Sequence, residues 1–372
     1  MKDLKKALDT KNKNDFKRAF KILSPIAESG NASAQFYMGS LYFNGLGVIA
    51  NEQEAARLRS SAIKIFKEQA ENGNKEAISK LDQGSIILME NLRFYQEETL
   101  GDREFAKNLS ELGDIYVNDA FGTCHREHAS TAVIAMYFKN KKFAGKLLQK
   151  ELEAINQIAN NGKKPVLAIL GGAKVSSKLS ILYNLIKNVD KIIIGGGMAY
   201  TFIKAKGGQI GNSLVEDELI TNAQEILRLA QKLDKKIILP VDTKASKDFD
   251  NNNQILTFNS KEIEEGWMGL DIGEKTMEIF HQEILTSNTI FWNGPMGVFE
   301  KELFSEGTSS ICNSLREAKE KGVNVIVGGG DSIAALKKLG KEEWVGYIST
   351  GGGALLESLE GKTLPGVKAL TQ

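Results

Sequence analysis

From residue 83 onward the chain alternates short, nearly continuous aliphatic runs with helical stretches. Ser85-Ile-Ile-Leu-Met89, Ile115-Tyr-Val117, Val166-Leu-Ala-Ile-Leu170, Lys191-Ile-Ile-Ile194, Lys236-Ile-Ile-Leu239, Thr289-Ile-Phe-Trp292 and Val323-Asn-Val-Ile-Val327 read as strands. Most lack the polar alternation of a half-solvated strand, so they suit a parallel sheet covered on both faces. Helical stretches at 143–160, 215–233 and 308–321 separate them. The pattern predicts an α/β fold with a doubly wound parallel sheet, which takes its ligands at the carboxyl ends of the strands. The chain has 36 Gly against 5 Pro, with triplets at Gly195–Gly197, Gly328–Gly330 and Gly351–Gly353.

Four of these strands run straight into glycine. Leu170-Gly-Gly-Ala-Lys-Val-Ser-Ser-Lys178 follows one strand and is expected to open a helix, with Lys174 and Lys178 on one face near its positive end, an arrangement suited to phosphate. Ile194-Gly-Gly-Gly-Met198 would let a flat base lie on main chain. Phe291-Trp-Asn-Gly-Pro-Met-Gly-Val-Phe-Glu300 offers Asn293 and a carboxylate suited to ribose hydroxyls. Val327-Gly-Gly-Gly-Asp-Ser332 places an acid and a hydroxyl at a helix start, where Mg²⁺ and phosphate would meet. Each alone reads equally well as a glycine turn with an N-cap. Four on successive strand ends point to a ligand edge.

Composition removes several function classes. A length of 372 residues suggests two or three domains. The balance of 48 Lys+Arg against 47 Asp+Glu lacks the basic footprint of a dedicated nucleic-acid or anionic-membrane binder. Cys124 and Cys312 are too few for a disulfide framework, as expected of a cytoplasmic chain. No apolar run is long enough to span a bilayer. Gly361-Lys362-Thr363 is not a Walker A end, because Leu356 stands where its first glycine belongs. A dinucleotide fingerprint, a Gly-x-Ser-x-Gly elbow and a metal-ligand spacing are all missing from the sequence.

Residues 1–82 differ in kind. Ala19-Phe-Lys-Ile-Leu-Ser-Pro-Ile-Ala-Glu-Ser-Gly-Asn-Ala-Ser-Ala34 recurs as Ala62-Ile-Lys-Ile-Phe-Lys-Glu-Gln-Ala-Glu-Asn-Gly-Asn-Lys-Glu-Ala77. A helix ending in Gly-Asn and followed at once by another predicts a helical hairpin. With Ala34-Gln-Phe-Tyr-Met-Gly and Gly45-Leu-Gly-Val48, the segment resembles the Sel-one-like subclass of tetratricopeptide-type repeats. That resemblance implies a protein-interaction module; an ordinary helical bundle is the plainer reading.

Residues 83–372 resemble phosphoglycerate kinase. The resemblance rests on Glu90-Asn-Leu-Arg-Phe94, Tyr116-Val-Asn-Asp-Ala-Phe-Gly-Thr-Cys-His-Arg126, Ala168 to Lys178, Gly195 to Phe202, Leu239-Pro-Val-Asp242, Gly266-Trp-Met-Gly-Leu-Asp271, Trp292 to Glu300, Gly328 to Ser332 and Ser349-Thr-Gly-Gly-Gly-Ala354, in the family's order. It implies reversible phosphoryl transfer between 1,3-bisphosphoglycerate and ADP in glycolysis, with Mg²⁺ and without a protein nucleophile. It also implies roles. Lys178 would hold nucleotide phosphate and Lys174 would follow the transferring group, with Gly351 and Gly352 giving backbone donors. Gly195, Gly196 and Gly269 would flank adenine; Asn293, Gly329 and Gly330 would neighbour the phosphates. Glu300 would bind ribose, Asp331 the metal and Ser332 phosphate. Glu151, Ser349 and Thr350 would form the hinge, and Arg93, His125 and Arg126 would take 3-phosphoglycerate.

With residues 1–82 read as the helical repeat segment, the resemblance further implies a partial N-terminal lobe over 83–150, joined by the tail 365–372, and a hinge helix with nucleotide lobe over 151–364. The family's first half-lobe, with its Arg-Val-Asp-Phe-Asn-type strand and Ser-His-Leu-Gly-Arg-Pro-type loop, has no counterpart in this sequence. Its loss would remove substrate ligands and leave sheet edges open. The expected partners are ATP or ADP, 3-phosphoglycerate and a protein bound by the repeat, with neither nucleic acid nor membrane. Three readings follow: an active kinase, a nucleotide-binding protein without turnover, or a rearrangement product.

Overall fold

The computed structural model describes residues 13–61, 88–250 and 254–371. The chain forms two compact units, one of residues 1–115 and 127–139, the other of 116–126 and 140–372.

In the first unit, helices Lys13–Glu28 and Ala32–Asn44 make the expected hairpin. Gly30 turns the chain at φ 90°, and Asn31 caps the second helix by accepting from Ala34 N at 2.9 Å. Phe16, Ala19, Leu23, Ala27, Met38 and Leu41 fill the space between them. A further helix over 52–61 crosses close to Gly39, where a Cβ would lie 2.8 Å from Arg59 Cγ. The second copy of the repeat, 62–77, lies outside the described residues. So does most of the strand expected at 85–89; residues 88–89 are irregular. The Phe36 ring rests 4.2 Å from that of Phe94, which ends the short turn Leu92–Phe94. Glu98 is buried and accepts from both the amide and the hydroxyl of Ser130.

The second unit holds the sheets. Its strands are β1 (Tyr116–Asn118), β2 (Lys142–Ala144), β3 (Val166–Leu170), β4 (Lys191–Ile194), β5 (Gln209–Ile210), β6 (Lys236–Ile238) and β7 (Asp242–Ser246). There follow β8 (Ile255–Asn259), β9 (Glu262–Ile263), β10 (Met268–Ile272), β11 (Thr289–Asn293), β12 (Asn324–Val327) and β13 (Tyr347–Ile348). The main sheet is six-stranded and parallel, in the order β13-β12-β11-β3-β4-β6. Every residue of β3 and β11 is buried, as their unbroken apolar runs require. Phe291 and Ala168 face one apolar core, Trp292 and Leu167 the other.

A three-stranded antiparallel sheet, β10-β7-β8, was not legible in the aliphatic pattern. Its central strand Asp242-Thr-Lys-Ala-Ser246 is polar, yet Thr243 is fully buried: its hydroxyl donates to Asp271 O at 2.7 Å and pairs with Tyr200 Oη at 2.6 Å. Internal hydrogen bonds satisfy these groups, so burial leaves no hydrophobic trace. The parallel pair β1-β2 stands apart, with Val117 opposite Phe143 and both about half exposed. The tail helix Pro365–Thr371 meets the loop after β1, Gly366 N donating to Cys124 O at 2.9 Å.

Candidate nucleotide cleft and hinge

The glycine loops at the carboxyl edge of the main sheet are bonded to one another through main chain. Gly171 N donates to Asn293 O at 3.0 Å, Gly172 N to Pro295 O at 2.9 Å, Gly196 N to Met296 O at 3.0 Å and Met198 N to Gly172 O at 3.0 Å. Gly196 has φ 66°, and a Cβ there would lie 2.6 Å from both Gly172 N and Gly172 O. Three backbones therefore pass at contact distance where side chains have no room.

Beside them opens a cleft of about 550 Å³. Gly196, Gly269, Glu300 and Asp331, all expected site residues, line it. Gly269 lies against Tyr200, whose phenol a Cβ would overlap, and its amide donates to Ser213 Oγ at 2.9 Å. Leu214 and Phe249, both partly exposed, form apolar walls together with Met268 and Met296. Sequence reasoning passed over Tyr200, Leu214, Phe249 and Met296. Only Tyr200 and Met296 carried a signal, since they sit inside the quoted motifs. Gly195 is buried behind the cleft, where a Cβ would meet Met296 Sδ.

The phosphate-side residues gather differently from the expected helix face. Residues 171–178 are turns, and helix Leu179–Asn188 begins only after Lys178, its capping residue. Gly171 and Gly172 bind the neighbouring loops, which stops the helix from starting earlier. Lys174 is exposed on the turn. Near it, burial raises the Glu216 carboxyl, but hydrogen bonds from Ser176 and the Lys174 charge outweigh that and lower its pKa. Lys178 points inward: its ammonium donates to Asn293 O at 3.0 Å and to Asn293 Oδ1. Burial pushes the Lys178 ammonium down to about 8, against the opposing pull of Asp331. Asn293, itself buried, donates to Gly328 O at 2.9 Å.

Helix Gly330–Leu339 starts at Gly329, φ 90°, with Asp331 in its first turn and exposed to the cleft. Ser332 is fully buried and its hydroxyl accepts from Gly294 N at 2.5 Å. Its side chain thus secures the loop after β11, so the Ser332 hydroxyl is engaged by main chain. Asp331 fits Mg²⁺ as a single hard oxygen donor, because that ion keeps most of its coordination for water and phosphate. Among the described residues no group of three or more His, Cys, Asp or Glu converges on a metal position.

The residues expected at the hinge come together farther along the same carboxyl edge, past β12, where Ser349 N donates to Val327 O at 2.8 Å. Glu151, in helix Lys146–Asn156, is fully buried. It accepts from Ser349 Oγ at 2.7 Å, Thr350 N at 2.9 Å and Thr350 Oγ1 at 3.1 Å. Gly351 follows with its α-carbon against the Phe121 ring, and Gly352 sits at φ 49°. His125 approaches Gly353, whose Cβ would stand 3.4 Å from its Nε2. The buried Nδ1 of His125 has no hydrogen-bond partner among the described residues. Arg126 is exposed on the same loop. Arg93 is exposed in the first unit, where Asn91 Oδ1 accepts from its amide at 3.0 Å.

Comparison with known proteins agrees with this geometry. The family description "Phosphoglycerate kinase" matches residues 48–362, beginning upstream of the boundary expected at 83. The chain is 50% identical over 297 residues to the phosphoglycerate kinase of Nautilia profundicola, covering 80% of this chain and 74% of that one. It is 48% identical over 297 residues to phosphoglycerate kinase 1, chloroplastic, of Arabidopsis thaliana, covering 79% of this chain but 61% of the relative. The solved structure of phosphoglycerate kinase from Coxiella burnetii superposes with a TM-score of 0.75 at 41% identity, over 78% of this chain and 74% of that one. With the nucleotide-side motifs in place and a family match over most of its length, the chain belongs to the phosphoglycerate kinase family.

Proposed function

We propose that this chain catalyses reversible phosphoryl transfer between 1,3-bisphosphoglycerate and ADP, with nucleotide bound in the cleft of the second unit. The observation that carries the reading is the convergence of Lys178, Asn293, Gly329 and Asp331 on one strand edge beside a cleft lined by Gly196, Gly269 and Glu300. Adenine would lie between the glycine main chain and the apolar walls, and Glu300 would accept from ribose hydroxyls. Lys178, released from Asn293, would take a phosphate oxygen. Ser332 would act through Gly294 and not directly on phosphate.

Bound at Asp331, Mg²⁺ would neutralise charge on the nucleotide phosphates. Lys174, exposed at the same edge, would place a further positive charge beside the transferring group. In the second unit His125 and Arg126 would take 3-phosphoglycerate, and the buried Nδ1 of His125, without a hydrogen-bond partner among the described residues, offers a ready polar partner. Gly351 and Gly352 would give backbone donors, and Glu151 would carry the closing motion through Ser349 and Thr350. Catalysis on this plan is positioning and charge, which suits a chain with 3 His and 2 Cys.

We further propose residues 1–82 as a helical repeat segment that binds a protein partner, 83–150 with 365–372 as a partial N-terminal lobe, 151–364 as hinge helix and nucleotide lobe, and the cytoplasm as the working compartment. The second reading, nucleotide binding without turnover, stands beside the kinase reading: among the described residues β1-β2 is a two-stranded pair with Val117 and Phe143 half exposed.

A coupled kinase assay beside ATP calorimetry on one preparation separates the readings. Mg-ATP-dependent phosphorylation of 3-phosphoglycerate that disappears on Lys174→Ala supports the kinase. Binding without turnover supports the second reading, and absence of ATP binding overturns both.

A further inference from the structure

Glu300 reaches the cleft from a short turn, and that turn is gripped from two sides. On the inner side, Val298 N donates to Leu270 O at 2.9 Å. Gly297 lies so close to Asp271 that a Cβ would overlap Asp271 Oδ1. Asp271 is only 2% exposed and is itself fixed, accepting from Ile272 N at 2.9 Å and from Gly307 N at 2.8 Å. Gly307 stands in the first turn of helix Glu306–Glu320, so the carboxylate also meets the positive end of that helix. Lys244 and Glu306, paired to each other, and the Tyr200 phenol are the titratable groups around it.

On the outer side, the Lys338 ammonium donates to Phe299 O at 3.1 Å and to Glu300 O at 2.9 Å. Lys338 belongs to the last turn of helix Gly330–Leu339, whose first turn carries Asp331. One helix therefore touches the phosphate end of the cleft with its start and the Glu300 turn with its end.

We propose that Asp271 and Lys338 are positioning residues that clamp the Gly297–Glu300 turn from inside and outside, and so set how strongly the cleft discriminates for ribose hydroxyls. The inference rests on the reading of Glu300 as the ribose-binding carboxylate. A carboxylate–hydroxyl bond strengthens binding only if the carboxylate is already held in place; on a loosened turn, ordering the chain offsets the gain. Loosening the clamp therefore removes the advantage of ADP over 2′,3′-dideoxy-ADP, while phosphate and base contacts persist.

The test is calorimetric titration of the full chain with Mg²⁺ and either nucleotide, for wild type, Glu300→Ala, Asp271→Asn, Lys338→Met and Lys338→Arg. Glu300→Ala is expected to abolish the preference for ADP. Lys338→Met, which loses both bonds to the turn, is expected to cut it about five- to tenfold, and Asp271→Asn, which keeps its shape against Gly297 and alters only the bonds to Ile272 N and Gly307 N, by less. The dideoxy analogue should bind within about twofold of wild type in both, since it lacks the hydroxyls that the clamp serves. Lys338→Arg should restore the preference, because its guanidinium can span the same two carbonyls. Lys338 is exposed, so its variant decides the matter even where Asp271→Asn does not fold. An unchanged preference in Lys338→Met, or equal weakening of both nucleotides, overturns the inference. An unchanged preference in Glu300→Ala instead overturns the ribose reading beneath it.

Discussion

The Glu151 carboxylate and the Ser349 hydroxyl, 198 positions apart in the chain, meet at 2.7 Å in the interior of the second unit. Thr350 adds an amide and a hydroxyl to the same carboxylate. Because Glu151 is fully buried, removing an acceptor leaves donors stranded away from water. Glu151→Gln is expected to destabilise the chain by about 1–3 kcal/mol, and Glu151→Ala by more. Urea denaturation followed by tryptophan fluorescence measures both; equality with wild type would remove this contact as the anchor of the Ser349–Gly351 loop.

Lys178 gives a proton-linked prediction. Its ammonium is held at about 8 by burial, so near that pH about half the molecules carry it neutral. An arriving phosphate restores the charge and raises the pKa, so nucleotide binding draws in a proton. Calorimetry at pH 8 in buffers of different ionisation enthalpy should show uptake of roughly half a proton per ADP, absent in Lys178→Met. Release of a proton, or no exchange, contradicts the placement of Lys178 at phosphate.

Asp271 gives a stability prediction of definite sign. Burial raises its carboxyl from 3.8 to about 7, against hydrogen bonds from Gly307 and Ile272 that lower it. The folded state thus holds this proton more tightly than the unfolded chain. The associated stability is complete below about pH 4, declines as pH rises and is gone above about pH 7, a span on the order of 4 kcal/mol. Thermal melts of wild type and Asp271→Asn should diverge in slope across that window, the variant being flatter.

Two glycines separate strain from space. Gly196→Ala forces a Cβ onto the Gly172 and Pro295 main chain at φ 66° and should cost about 2 kcal/mol or more. Gly330→Ala meets nothing within 4 Å at an ordinary φ and should stay within about 0.5 kcal/mol. Equal midpoints for the two variants would refute the close packing of the loops.

The sequence made the main sheet legible because β3, β4, β11 and β12 bury both faces and so carry unbroken apolar runs. The hinge was legible through motif alone: nothing in the periodicity links Glu151 to Ser349. The Lys174–Lys178 segment forms turns where the sequence predicts a helix, because tertiary bonds from Gly171 and Gly172 override local propensity. Ser332 was legible as a site residue but not in direction, since a hydroxyl at a helix start serves a neighbouring loop as readily as a ligand. Strand β7 stayed hidden because its buried groups are polar and satisfy one another.

The mutual bonding of the glycine loops has a thermodynamic corollary. A ligand resting on main chain that is already hydrogen-bonded to other main chain immobilises no rotamers when it arrives. The ordering cost of that surface was met when the chain folded, so recognition there draws on rigidity, not on adjustment. Specificity must then come from the few groups that still have freedom at the cleft mouth: Lys174, Glu300 and Asp331, each exposed and each at the tip of a fixed loop or helix.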